Sequence, residues 1–170
     1  MRLKLRKSQD VFAFQTIACT VLPDRKSQFR VLCFSGATIV RRLITEKEYV
    51  ELLIGRDGEF DQIVSSTVRR AKRDIRDDNS ELIWVMAYLK AEYANNADSF
   101  DEYYDRVEVC DEAARSHPKS AIQNRNRSMV DRSDLVVCYV DHQSGGAFQT
   151  MQYALKRGKK VINLAEEDTF

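Results

Sequence analysis

Apolar residues along this chain come in two rhythms: short dense runs, and stretches in which they return every third or fourth position. FRVLCFSG (29 to 36) reads as a buried strand ending at Gly36, TIVRRLITEKEY as a short helix, and VELLIG (50 to 55) as a second strand. After Gly58 the apolar residues Phe60, Ile63, Val64, Val68, Ala71 and Ile75 fall at helical spacing and mark one face of a long helix. ELIWVMAYL (81 to 89) is a continuous apolar run bounded by polar residues, the pattern of a strand covered on both faces.

Further along, SFDEYYD reads as a helical turn and RVEVC as a short strand. KSAIQNRNRSMVDRS then reads as a helix, DLVVCYV (134 to 140) as a strand, GAFQTMQYALKRG as a helix stopped by Gly158, and KVINLA as a last strand. Strands that alternate with helices need crossover connections, which make the sheet parallel and put helices on its faces. The predicted class is α/β, a Rossmann-like three-layer sandwich with a mostly parallel sheet flanked by helices.

Composition narrows the picture. A chain of 170 residues suits one domain. With 27 Lys+Arg against 26 Asp+Glu, the net charge of +1 gives no strong nucleic-acid signal and no reason to expect a membrane surface as partner. Cys19, Cys33, Cys110 and Cys138 have no CxxC spacing, and three of them lie in apolar runs, as expected of a reduced, cytoplasmic protein. The opening MRLKLRKSQDVFAFQTIACTVL has the basic start of a leader ending at Cys19, but Asp10 and Gln15 interrupt an apolar stretch already far short of a membrane span.

Candidate chemistry gathers where strands give way to helices, because ligands of parallel sheets sit beyond the carboxyl ends of the strands. Three such places carry glycine: FSGAT with Gly36, GRDGEFD with Gly55, Arg56 and Gly58, and DHQSGGA with Gly145 and Gly146. In SGGA the glycines open a helix whose free N–H groups suit an anion, and Ser144 adds a hydroxyl; a plain tight turn is the alternative. Glu59 and Asp61 either complement the dipole of the long helix or act on a sugar, as acceptors for ribose hydroxyls or as base or nucleophile at a sugar carbon. Arg125 offers a planar fork to a phosphate and Asn126 a side-chain amide, unless the arginines of this segment only cover a solvated helix face. His117 and His142 lie far apart without the spacing of a zinc site, so no metal or other cofactor is expected.

GRDGEFDQIVSSTVRRAKR, RNRSMVDRSDLVVCYVDHQSGGAFQTMQYALKRGKKVINL and the acidic tyrosine-bearing segment between them resemble the SLOG superfamily. These are Rossmann-like proteins related to the Lonely Guy phosphoribohydrolases and to DNA-processing protein A, and the resemblance is to a branch of small bacterial proteins. It covers roughly Glu46 to Leu164 and implies a nucleotide or nucleotide-derived ligand. By position, the family's glycine-plus-acid loop falls on Gly55, Gly58, Glu59 and Asp61, its second glycine loop on Ser144, Gly145, Gly146 and Ala147, and its arginine-asparagine pair on Arg125 and Asn126.

Two departures stand out. The enzymatic relatives use a longer P-G-G-x-G-T-x-x-E signature, whose proline, one glycine and threonine are missing here. The close branch has a glycine-histidine-arginine turn after its first strand, whereas Gly36 is followed by Ala37 and Thr38. Residues 1–28 match nothing recognised and are set apart from a nucleotide-binding domain over 29–170. The expected function is that of a sensor or sequestering domain for a nucleotide-derived molecule. The alternatives are a phosphoribohydrolase-like enzyme cleaving the base-ribose bond, with Glu59 or Asp61 acting on the sugar carbon and Arg125 on the phosphate, and a scaffold with a decayed site. A symmetric homo-oligomer is expected only as the default for such folds, and the acidic tyrosine-bearing segment is a candidate lid or contact surface.

Overall fold

The structure, a computed structural model, describes residues 10–14 and 25–166. Six strands form one sheet in the order β4-β3-β2-β1-β5-β6, with every neighbouring pair parallel. The strands are β1 (Asp10–Phe14), β2 (Val50–Ile54), β3 (Ser80–Met86), β4 (Arg106–Val109), β5 (Leu135–Cys138) and β6 (Lys160–Asn163). Between them run α1 (Arg25–Glu46), α2 (Glu59–Asp74), α3 (Ala91–Asn95), α4 (Ala97–Tyr103), α5 (Asp111–Ala114), α6 (Pro118–Arg132) and α7 (Gly145–Lys156). The predicted class is the observed one.

The strand pleat sorts side chains to two covering layers. Leu52, Ile54, Leu82, Trp84 and Met86 pack with Val40 and Ile44 of α1 and with Phe60, Val64, Val68 and Ala71 of α2. Their sequence neighbours Leu53, Ile83 and Val85 turn the other way, onto Ala113 of α5 and Ala121 and Met129 of α6. Val136 of β5 meets Val130 of α6 and Ala154 of α7 on that same side. The apolar stripe read in the sequence of α2 is thus the buried stripe, and it ends at Ile75, which is 36% exposed.

The amino-terminal part differs most from the sequence reading. Residues 29–36 are not a strand: they belong to the 22-residue helix α1, which also takes in most of the short helix expected after them. Within α1, Val40, Leu43 and Ile44 are buried while Arg41, Arg42, Thr45 and Glu46 are exposed, a helical alternation. Gly36 therefore lies buried in mid-helix, not at a strand's carboxyl end; a Cβ there would sit 3.9 Å from Leu164 Cδ1. The first strand comes earlier, within the unmatched segment 1–28. It occupies the middle of the sheet, with Phe12 in register with Leu52 on one side and Leu135 on the other.

From β1 the chain steps outward through β2 and β3 to β4, then returns past β1 to β5 and β6. The order reverses between β1 and β5, where crevices open at the carboxyl edge of such sheets.

Candidate functional site

Two glycine loops stand on that edge. The first follows β2 and the second follows β5, and β1 alone separates the two strands. Two strand spacings amount to about 10 Å, so one small molecule can span both loops.

The first loop is tied down at Gly55, Arg56 and Asp57. The Gly55 carbonyl accepts a bond of 3.2 Å from Trp84 Nε1 in the core. A Cβ at this position would lie 2.0 Å from Arg125 Nη1, so only glycine lets the guanidinium pass. Arg56 adopts φ +56, the left-handed region that side chains rarely enter. Its guanidinium lies 4.7 Å from the Phe100 ring centroid and 5.3 Å from that of Trp84, and Nη1 meets Glu92 Oε1 at 2.7 Å. Cation–π contact and the charge pair hold the unusual backbone in place.

Asp57 comes next, with its backbone N–H donated to Asp61 Oδ2 at 2.9 Å. The Asp57 carboxylate bridges two cations: Oδ1 accepts from Lys90 Nζ at 2.5 Å and Oδ2 from Arg125 Nη2. Gly58 then caps α2 in an extended conformation (φ −153) open to any residue type. Of the two acids read as catalytic candidates, Glu59 is exposed, whereas Asp61 is fully buried and turns back to close the loop. They differ as residues two apart on a helix must, by pointing to different sides.

The acidic tyrosine-bearing segment supplies the wall behind this loop. Rings of Tyr93, Phe100 and Tyr104 surround Trp84 with centroids 5.8, 5.0 and 5.5 Å away. Tyr104 is buried deeply enough that desolvation raises its hydroxyl above the ordinary tyrosine range.

The second loop is open. Asn163, at the end of β6, clamps its root: Oδ1 accepts from Val140 N at 2.7 Å and Nδ2 donates to Val140 O at 2.9 Å. Beyond the root, Ser144, Gly145 and Gly146 are exposed, and the Ser144 side chain makes no capping bond to α7. Gly145 needs its residue type for its backbone, at φ +83, whereas a Cβ on Gly146 would meet nothing within 4 Å. The first turn of α7 holds no acid, so its free N–H groups and the positive end of the dipole face solvent uncompensated.

Helix α6 joins the loops through two adjacent residues. Arg125 is 2% exposed and reaches the first loop, its Nη1 donating to Val85 O at 2.9 Å and its Nη2 to Asp57. Asn126 faces the second: its Nδ2 lies 3.4 Å from Thr150 Oγ1, which in turn donates to Gly146 O at 2.8 Å. The fork expected to serve a phosphate at the second loop is therefore placed beneath the first.

Of the residues named from sequence, Gly55, Arg56, Gly58, Glu59, Asp61 and Arg125 come together at one loop, and Asn126 with Ser144, Gly145, Gly146 and Ala147 at the other. Gly36 joins neither. Contributors that escaped the sequence reading are Trp84, Asp57 and Lys90 at the first loop and Thr150 and Asn163 at the second. Lys90 had a usable signal, since it closes the apolar run of β3 and so stands on the same carboxyl edge. Among the described residues no group of three or more His, Cys, Asp or Glu could hold a metal, and no helix is long and apolar enough to cross a membrane. Cys110 and Cys138 are free and buried.

No family model matches the chain, and no curated protein sequence matches it. In structure it is similar to DNA processing protein A (DprA) from Streptococcus pneumoniae, known from its X-ray structure, with a TM-score of 0.53 at 15% sequence identity. The similarity covers 88% of this chain and 48% of that one, so this chain spans about half of that protein's length. At that identity the likeness establishes the fold, a Rossmann-like α/β sheet flanked by helices.

Proposed function

We propose that the chain binds a nucleotide or nucleotide-derived molecule along the carboxyl edge of its sheet, as a sensor or sequestering domain. The observation that carries this reading is the shared tether on α6, which fixes a rigid glycine loop and an open one side by side at the point where strand order reverses. Ser144 to Ala147 take the phosphate, since exposed N–H groups at the start of a 12-residue helix suit an anion. The first loop takes the sugar, with the exposed Glu59 as acceptor for its hydroxyls.

The same exposure favours Glu59 in the enzymatic alternative, cleavage of the bond between base and ribose phosphate, because Asp61 already serves the loop backbone. Mass spectrometry of small molecules released from natively purified protein tests the reading, followed by calorimetry with the compound found. A nucleotide-derived compound that rebinds at one site is expected. Release of no such compound, with no heat on addition of nucleoside monophosphates, overturns it. Free base released from those monophosphates moves the assignment to the enzyme.

A further inference from the structure

We propose that Lys90 and Arg125 form an oxyanion-binding site of their own, in which the Asp57 carboxylate stands in for a phosphate-like group and gives way to it. The starting point is the sharing of one carboxylate at the first loop. Two cations from different elements, the start of α3 and α6, converge on one carboxylate, each on its own oxygen. The Arg125 guanidinium, 2% exposed, thus shares its one carboxylate with an ammonium, while the buried acid of the loop, Asp61, is turned onto the backbone.

The donors are also under-used. Arg125 spends Nη1 on Val85 O and Nη2 on Asp57, but its Nε is buried with no hydrogen-bond partner among the described residues. A buried donor left unmet is destabilising, so a group that met it would be held. A carboxylate offers two oxygens and both are engaged; a phosphate offers three or four and can meet a guanidinium edge and an ammonium together.

The loop is built so that the side chain can leave while the main chain stays. Asp57 keeps its backbone N–H on the buried Asp61, and Arg56 stays fixed on Trp84, Phe100 and Glu92. Rotation of the Asp57 side chain alone, 24% exposed at the tip of the loop, uncovers Lys90 and Arg125. Gly55 points the same way, because a side chain there would force Arg125 off the edge.

The site stands on the first loop alone and does not depend on a nucleotide at Ser144 to Ala147, so either assignment can fail without the other. If both hold, the ligand carries anionic groups at two ends about 10 Å apart, the width of two strand spacings.

The test compares the thermal midpoint of D57N in phosphate and in chloride at equal ionic strength. In chloride D57N is expected to melt below the parent, its buried Arg125 charge left without its counter-ion; phosphate restores most of that loss and barely moves the parent. Phosphate should also bind D57N about tenfold more tightly than the parent, the worth of roughly 1.4 kcal/mol. Adding K90M should remove both effects while leaving the second loop untouched. Adenosine monophosphate serves as a second probe: stronger rescue than by phosphate assigns the site to an esterified oxyanion, equal rescue to a free one, and either upholds it. A D57N protein as stable as the parent, or one that phosphate helps no more than chloride does, overturns the proposal. If D57N does not fold, the parent's Arg125 Nε–H resonance is followed instead. A saturable shift with phosphate that K90M abolishes supports the site, and no shift refutes it.

Discussion

The two glycine loops share an edge and a helix tether, yet they are physical opposites. In GRDG the glycine at 55 exists because something else needs its space: a guanidinium 2.0 Å from where Cβ would be. In SGGA the glycine at 145 exists because the backbone needs φ +83, and its neighbour Gly146 faces open space. The first loop has its contacts filled from within the chain. The second has exposed N–H groups at a helix start whose first turn holds no acid and whose Ser144 makes no capping bond. Glycine in a binding loop thus marks either a crowded place or an empty one, and only the empty kind is ready for a ligand without rearrangement.

That contrast can be broken experimentally. The largest effect is expected of Gly55→Ala, which must push Arg125 off Asp57 and Val85. Urea denaturation should register a loss of about 3–5 kcal/mol, the range for a broken buried pair; a loss as small as that at Gly146 would erase the contrast. Asp61→Ala comes next. It strips the Asp57 N–H of its acceptor and should cost about 1–3 kcal/mol by the same measurement.

At the second loop the scale falls and the readout changes. Gly145→Ala should cost about 1–2 kcal/mol from left-handed backbone alone. Glu59→Gln removes an exposed first-turn acid and should change stability by no more than about 0.3–1 kcal/mol, while it weakens binding of whichever nucleotide calorimetry identifies. Gly146→Ala should leave stability within about 0.5 kcal/mol of the parent. Its nucleotide affinity should nonetheless drop at least about tenfold, because a methyl group there stands between phosphate and backbone. Unchanged affinity would remove the open loop from the site.

Most of the sheet was legible because its strands are apolar runs and the helices after them have clear stripes, as with Phe60, Val64, Val68 and Ala71. The stretch 29–36 misled because a short run apolar on nearly every residue is compatible with a buried strand or a buried helix, and periodicity cannot separate them. DVFAF, the real first strand, was masked by its resemblance to the apolar part of a leader. At the site, the loops were readable from glycine placed after a strand. The tether was not: Arg125 and Asp57 lie 68 positions apart, and nothing local to either announces the other. The same holds for Trp84, whose burial was expected but whose Nε1 bond to Gly55 depends on the register between β2 and β3, where Ile54 sits beside Trp84.

The place of β1 bears on how the chain reaches this state. Strands β2, β3 and β4 succeed one another in sequence and in space, so that half of the sheet can assemble from nearby segments as they become available. Strands β5 and β6 have no such route, for they attach only through β1, whose Phe12 pairs with Leu135 across most of the length of the chain. Closing so long a loop is entropically slow, and contacts of high sequence separation set the pace of folding. The open loop after β5 is therefore positioned only when β1 and β5 pair, whereas the first loop needs only β2, β3 and the Arg125 of α6.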